Sequence, residues 1–340
     1  MRNHETLRFW SVLTVIGALI VVVFYISLTN GVFDIGLLDI AKTLLRIYPS
    51  DDYDLVIFDF RLPRIVISLL VGFGLAIAGT VMQGVTRNGL ADPGILGINA
   101  GAGAAIVTFM FFFAGKMTGT GLLAILAMPL FGLAGGLLAA ISIYALAWRN
   151  GQLDPRSLLL TGIAIGSGFG AISLYLSLKM NARDFEMAAV WLTGSIWNAN
   201  WIFIASMLPW LLLLTPIVLW KAYALDLLRL GEPTAQGLGL AAEREKRLLL
   251  LASIGIVSAC VSVSGSIGFV GLIAPHIAKR LVGIHHRHVL PVSGAIGMLL
   301  VAASDFIAKT VFHPVELPVG IVISIIGVPY FVYLLYKRKA

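Results

Sequence analysis

Long apolar runs, each closed by a short polar or charged interval, repeat along almost the whole chain. A spanning helix needs about 20 apolar residues. The pattern predicts ten such segments: Phe9–Leu28, Pro63–Gln83, Gly94–Phe113, Gly121–Trp148, Ser157–Leu178, Trp201–Trp220, Leu248–Gly268, Phe269–Val282, Leu290–Ala308 and Leu317–Tyr336. The eighth is short and follows the seventh with almost no interval. Trp201 and Trp220 bracket the sixth about 28 Å apart at helical rise, as interfacial tryptophans do. The expected fold is an all-α polytopic membrane protein of about ten transmembrane helices, forming one domain over residues 1–340.

Composition supports that class. Apolar residues make up 59% of the 340 and charged residues 12%, with mean hydropathy +0.95; a soluble domain is about half apolar and about a quarter charged. The net charge of +7 does not imply nucleic acid, because the bases sit in short clusters at the ends of apolar runs, which is a topology signal. Eight of the 24 Lys and Arg fall on one side of the ten-span arrangement: Lys42, Arg46, Arg61, Arg64, Lys116, Lys179, Arg183 and Lys309. The other sixteen fall on the side of the termini, which places both termini in the cytoplasm. The outer side also carries the acidic stretch Asp51–Asp54 with Asp59. A single cysteine, Cys260, excludes a disulfide within the chain. The first apolar run is too long for a signal-peptide core and reads as a retained helix.

Enzyme chemistry finds no foothold. His285-His286-Arg287-His288 reads as a cationic turn rather than a zinc site. Gly115-Lys116-Met117 lacks the upstream glycine of a phosphate loop, and Gly72-Phe73-Gly74 lies inside an apolar span. No cofactor is expected, and ATP, if used, must bind another subunit. His276, after Pro275, reads as a hydrogen-bonded structural histidine. Asp305 and Glu316, with Lys309 between them, suit a local ion pair. An ion-coupled secondary transporter would need buried carboxylates, which are scarce, and an intramembrane enzyme would need an acid–base pair that His276 lacks.

Two segments suit transport. Gly162, Gly166 and Gly170 repeat at four-residue spacing, which lets helix backbones approach closely, and the nearby Thr161, Ser167 and Ser173 keep a pathway role open. Residues 221–247 are too polar to span. Two short helical stretches flank a Gly231-Glu232-Pro233 break, with proline at a helix start. Leu225, Leu227, Leu228 and Leu230 suit an apolar face, so the segment reads as a folded knob that a soluble motor could grip, against the alternative of an interfacial helix.

Four segments together resemble the FecCD-type permeases of ABC importers, the family of ferric-siderophore and vitamin B12 permeases. They are Arg61-Leu62-Pro63-Arg64 with Gly79, Met82 and Gln83; Asn88 to Gly97; Gly231-Glu232 with Ala235 and Leu238-Gly239; and Gly265 to His276, continued through His286-Arg287, Leu290-Pro291, Glu316 to Gly320, Gly327 and Pro329. The match runs in order over about residues 55 to 337. It implies the type II ABC importer permease fold and a non-catalytic subunit paired with a second copy or a paralogue. Two ATP-binding cassette subunits would grip the cytoplasmic loops, and an extracytoplasmic substrate-binding protein would dock outside. Carried over by position, Arg61, Arg64 and Lys309 resemble the docking cations for the binding protein. Leu228, Arg229, Gly231, Glu232, Ala235, Leu238 and Gly239 resemble the ATPase coupling loop. The fifth helix with Gly162, Gly166 and Gly170, and the turn at Asp154-Pro155, resemble pathway wall and gate. Lys309 replaces a common arginine, Gly89 a common proline, and Asp154-Pro155 the hydroxyl residues of the B12 permease. Ferric siderophore is the expected cargo, with cobalamin and haem as alternatives.

Overall fold

The computed structural model describes residues 2–30, 35–47, 51–94, 97–113, 122–149, 152–312 and 315–339. Ile95, Leu96, Gly115 and Lys116 lie outside the described residues. In chain order the helices are α1 (Arg2–Thr29), α2 (Leu37–Leu44), α3 (Asp51–Asp54), α4 (Leu62–Thr86), α5 (Ile98–Phe113), α6 (Leu122–Ala147), α7 (Pro155–Ser177) and α8 (Ala182–Leu192). They continue with α9 (Trp201–Trp220), α10 (Ala222–Leu228), α11 (Glu232–Gly237), α12 (Ala242–Ser264), α13 (Val270–Val282), α14 (His286–Thr310) and α15 (Val319–Lys339). Between α6 and α7, β1 (Trp148–Arg149) and β2 (Gln152–Leu153) form a two-stranded antiparallel hairpin.

Each of the ten apolar segments falls on a helix. Eight of the described helices are long and apolar enough to cross a membrane. The other two segments form the shorter α5, of 16 residues, and α13, of 13. Helix α5 begins at Ile98 because residues 87–94 and Gly97 take an irregular path before it; Gly97 has φ +79°.

The span expected to begin at Pro63, which put Arg61 and Arg64 at a helix mouth, starts earlier. Residues 55–61 wind as a π-helix that joins α3 to α4, so one continuous helix runs from Asp52 to Thr86. The cause is Pro63: its ring lacks an N–H and crowds the preceding turn, and a wider π turn accommodates such a disruption without ending the helix. Arg61 and Arg64 therefore stand inside a helix rather than at its start. His285-His286-Arg287-His288 also departs from the expected turn. His285 caps α14 and the next three residues form its first turn, with His286 buried.

Helix α4 is the centre of the bundle, packed by α9, α12, α13 and α14. Its most extensive contact is to α14, where a side chain on Gly72 would overlap the Gly297 carbonyl and one on Gly297 would overlap that of Gly72. Between membrane helices the apolar surroundings give no hydrophobic drive, so association rests on such close packing and on interhelical hydrogen bonds. One accompanies this contact: Thr80 Oγ1 donates to Ser293 Oγ at 2.9 Å.

A Gly72→Ala substitution is expected to destabilise the protein by about 1–3 kcal/mol through overpacking, lowering the melting temperature of the detergent-purified chain. Gly168→Ala, where a Cβ meets nothing within 4 Å, is expected to be neutral or stabilising by up to about 1 kcal/mol.

Candidate functional site

The two ends of the bundle carry different chemistry. At one end stand Arg61, Arg64 and Lys309, each engaged within the chain. Helix α1 finishes there, and its last carbonyls have no intrahelical partners. Arg61 Nη1 donates to Leu28 O and, at 3.2 Å, to Thr29 O; Lys309 Nζ donates to Ser27 O at 3.0 Å. Two cations from α14 and the π segment thus cap the negative end of α1. Arg64 grips Asp305 with Nε at 3.0 and 3.1 Å and Nη2 at 2.9 Å, and its Nη1 reaches Glu316 at 2.8 Å. The Arg64 side chain is 14% exposed and Asp305 4%, whereas Glu316 is 36% exposed. The ion pair expected among Asp305, Lys309 and Glu316 is in fact organised by Arg64, from a helix more than 200 residues away in sequence.

At the other end, residues 221–241 fold as α10, a turn at Gly231 and α11, while residues 242–247, expected in the same loop, already form the first turns of α12. Gly231 takes φ +99°, a conformation that favours glycine. Leu225, Leu227, Leu228 and Ala235 are buried, while Leu230 and Leu238 are 59% and 60% exposed. Leu230 thus leaves the apolar face expected of it and points outward with Leu238. Ion pairs hold the knob in place. Lys246, itself buried, contacts Glu232 at 2.5 Å and Glu243 at 2.8 Å, and Lys221 contacts Glu245 at 2.7 Å.

Asp226 locks α10 to the start of α14 by accepting from the His286 backbone N–H at 3.0 Å and meeting Nδ1 of the same residue at 2.7 Å. Arg229 Nη1 adds a bond to Ile284 O at 2.8 Å. Burial raises the Asp226 carboxyl, but the hydrogen bonds and charge of His286 outweigh it and leave the pKa below its ordinary value of 3.8. At the same end, Arg8 of α1 donates to Arg280 O at the close of α13 at 3.0 Å.

The gate candidates have a local explanation. Asp154 is the N-cap of α7, accepting from the backbone N–H of Arg156 and Ser157 at 3.1 Å each and from Ser157 Oγ at 2.7 Å; Pro155 follows at the helix start, where its missing N–H is not needed. Those bonds, led by Ser157 Oγ, lower the Asp154 pKa. The glycine row divides in two. Gly162 and Gly166 pack against Gly97 in the turn before α5, while Gly170 meets nothing within 4 Å and is exposed. His276 lies edge-on to Tyr330, ring centroids 5.7 Å apart. Among the described residues, no group of three or more His, Cys, Asp and Glu comes together to hold a metal ion.

Sequence reading missed α2 and α8, which fall between the expected spans. Helix α8 carried a signal: Asn181 caps it through Asp184 N at 2.9 Å, and Ala188 and Trp191 form its buried face.

Residues 19–337 match the family model described as the FecCD transport family. The chain belongs to the FecCD transport family. It is 56% identical over 322 residues to the iron-uptake system permease protein FeuC of Bacillus subtilis, covering 95% of this chain and 96% of that one. It is 48% identical over 328 residues to the iron(3+)-hydroxamate import system permease protein FhuG of the same species, covering 96% and 97%. The cobalamin import system permease protein BtuC of Halobacterium salinarum is 37% identical over 284 residues, covering 84% and 74%. Among solved structures, a metal-chelate type ABC transporter in an inward-facing conformation superimposes with TM-score 0.82 at 29% identity, over 96% of this chain and 99% of that one. The protein is therefore a multi-pass permease of the cell membrane, a non-catalytic subunit of the ABC importer class.

Two outcomes follow for this permease. Arg64→Ala should destabilise by about 3–5 kcal/mol, because it leaves the buried Asp305 carboxylate unpaired, and Asp305→Ala should cost less, because Arg64 keeps Glu316. The double variant should fall short of the sum by about 1–3 kcal/mol in a thermal-unfolding cycle. The Asp226 lock has a lowered folded-state pKa, so its stabilisation is complete above the ordinary value of 3.8 and fades as pH falls through the lower, folded value. Melting temperatures of wild type and Asp226→Asn should differ at pH 7 and converge below pH about 4.

Proposed function

We propose that this permease moves a ferric siderophore into the cytoplasm, receiving it from an extracytoplasmic binding protein and driven by ATPase subunits that grip the knob. The observation that carries the mechanical half is the knob itself. Two short helices, fixed to the bundle by Asp226–His286 and Lys246–Glu232, present Leu230 and Leu238 outward. Exposed leucines on a rigid, ion-paired support suit a groove on a soluble partner better than open water. The bias of Lys and Arg toward this end supports a cytoplasmic knob, with the Arg61, Arg64 and Lys309 end facing out.

The cargo reading rests on similarity. Relatives named for iron uptake and ferric hydroxamate import are 56% and 48% identical, against 37% for the cobalamin permease. Cobalamin remains the second reading on that last relative.

At the outer end the cations serve docking through exchange. Arg64 is shared between buried Asp305 and the more exposed Glu316. An acidic side chain on a binding protein can take the place of Glu316 while Asp305 keeps Arg64 fixed. Arg61 and Lys309 add positive charge beside it. The exposed stretch of helix α7 around Gly170 supports a position along the pathway against a second permease chain.

Uptake of labelled ferric siderophores, cobalamin and haem by cells with and without this chain tests the cargo. Selective loss of one siderophore class is expected; selective loss of cobalamin or haem would overturn the siderophore reading. For the docking end, Glu316→Gln is expected to tighten binding-protein association several-fold by removing the internal competitor, measured as equilibrium binding to the reconstituted permease. Unchanged or weaker binding would contradict the exchange. For the knob, Leu238→Glu is expected to cut ATP-driven uptake by at least about tenfold with normal amounts of protein in the membrane, equivalent to about 1.4 kcal/mol of lost coupling.

A further inference from the structure

Between the knob and the bundle lies a cavity of about 240 Å³ lined by Gln83, Gly84, Arg87, Arg229, Lys279 and His286. Four different elements bring these groups together: Arg87 follows α4, Arg229 follows α10, Lys279 lies on α13 and His286 opens α14. Three are cations, and no carboxylate is among the lining residues. Two acids lie close by and are already engaged, Asp226 with His286 Nδ1 at 2.7 Å and Glu232 with Lys246 at 2.5 Å and more loosely with Arg87 at 3.7 Å.

A second observation points to a ligand. The His286 side chain is 1% exposed, and its Nε2 is buried with no hydrogen-bond partner. Buried polar atoms are nearly always paired, and this one borders the cavity. The cations are anchored but not exhausted. Lys279 gives one bond to Gln83 Oε1 at 2.8 Å, and Arg229 one to Ile284 O. An ammonium has three donors and a guanidinium five, so several remain for a guest. The positive end of the 25-residue α14 adds to the same field.

A guest here must be small, multiply negative and able to accept from several directions at once. A single carboxylate offers two oxygens in one plane; a tetrahedral phosphate group offers more acceptors and more charge. We propose that this cavity binds a phosphate-class oxyanion, the headgroup of an anionic lipid or a soluble phosphate, which staples the knob to α4, α13 and α14. The site is independent of which cargo the permease carries.

The test uses the full-length chain and reads its melting temperature. In detergent, inorganic phosphate is titrated against sodium chloride at matched ionic strength; in nanodiscs, phosphatidylglycerol is compared with phosphatidylcholine. Saturable stabilisation by phosphate identifies a soluble ion, and stabilisation by phosphatidylglycerol without a phosphate response identifies a lipid headgroup. Either supports the site provided that Arg87→Asn and Arg229→Gln each weaken the effect by about tenfold, the loss of one charge-assisted bond. Lys179→Gln, on the exposed turn after α7, should leave it unchanged. Asparagine at 87 suits the left-handed backbone there, φ +51°, so that variant stands alone if Arg229→Gln fails to fold. No stabilisation of wild type by either probe, a phosphate response no different from chloride, or equal responses in wild type and Arg87→Asn would overturn the proposal.

Discussion

Helix α4 has almost no freedom to move sideways, and the rest of the bundle is arranged around that fact. Inside a membrane no hydrophobic force presses helices together, so a central helix must be held by close backbone approach and paired polar groups. Gly72 against Gly297 provides the first and Thr80 with Ser293 the second. Gln83, near the far end of the same helix, receives Lys279. Both functional ends hang from this one rod. Arg64 lies close to its beginning, and Gly84 and Arg87, beside the knob, mark its finish. A displacement of the knob is therefore felt along a stiff, enclosed element.

The two ends solve a common problem differently. Charges near a membrane are costly unless paired or hydrated. At the cation end, Arg64 is held by Asp305 and Glu316, and Arg61 and Lys309 terminate α1. The positive charge there is structural before it is available to a partner. At the knob end, Lys221 and Lys246 are paired with glutamates, and Leu230 and Leu238 face outward. One end thus suits an electrostatic partner that competes for an existing ion pair, and the other suits a partner with an apolar groove.

Segments long enough to span were legible because a lipid-facing helix needs an unbroken apolar run, and that run is local in sequence. The knob was legible because Gly231-Glu232-Pro233 is also a local signal, a break followed by a helix start. What sequence could not supply were relations between distant residues. Arg64 meets Asp305 and Asp226 meets His286 only after the bundle closes, so the sequence showed Arg64 as a docking cation without its internal partners and His286 as part of a cationic turn. Pro63 misled for another reason. Proline usually marks a helix start, but a π turn let the helix run through it. Gly162 and Gly166 pack against Gly97, as their four-residue spacing allows, while Gly170 is open, so a shared spacing does not guarantee a shared role.

Transport by this permease requires the knob and the cation end to face opposite compartments. Cys260 is buried, so Cys260→Ala with Leu238→Cys leaves a single exposed thiol on the knob. A membrane-impermeant maleimide, applied to intact cells and to inverted vesicles from cells making the permease alone, reports its side. Labelling confined to inverted vesicles is the predicted result. Labelling in intact cells would place the knob outside and contradict the account.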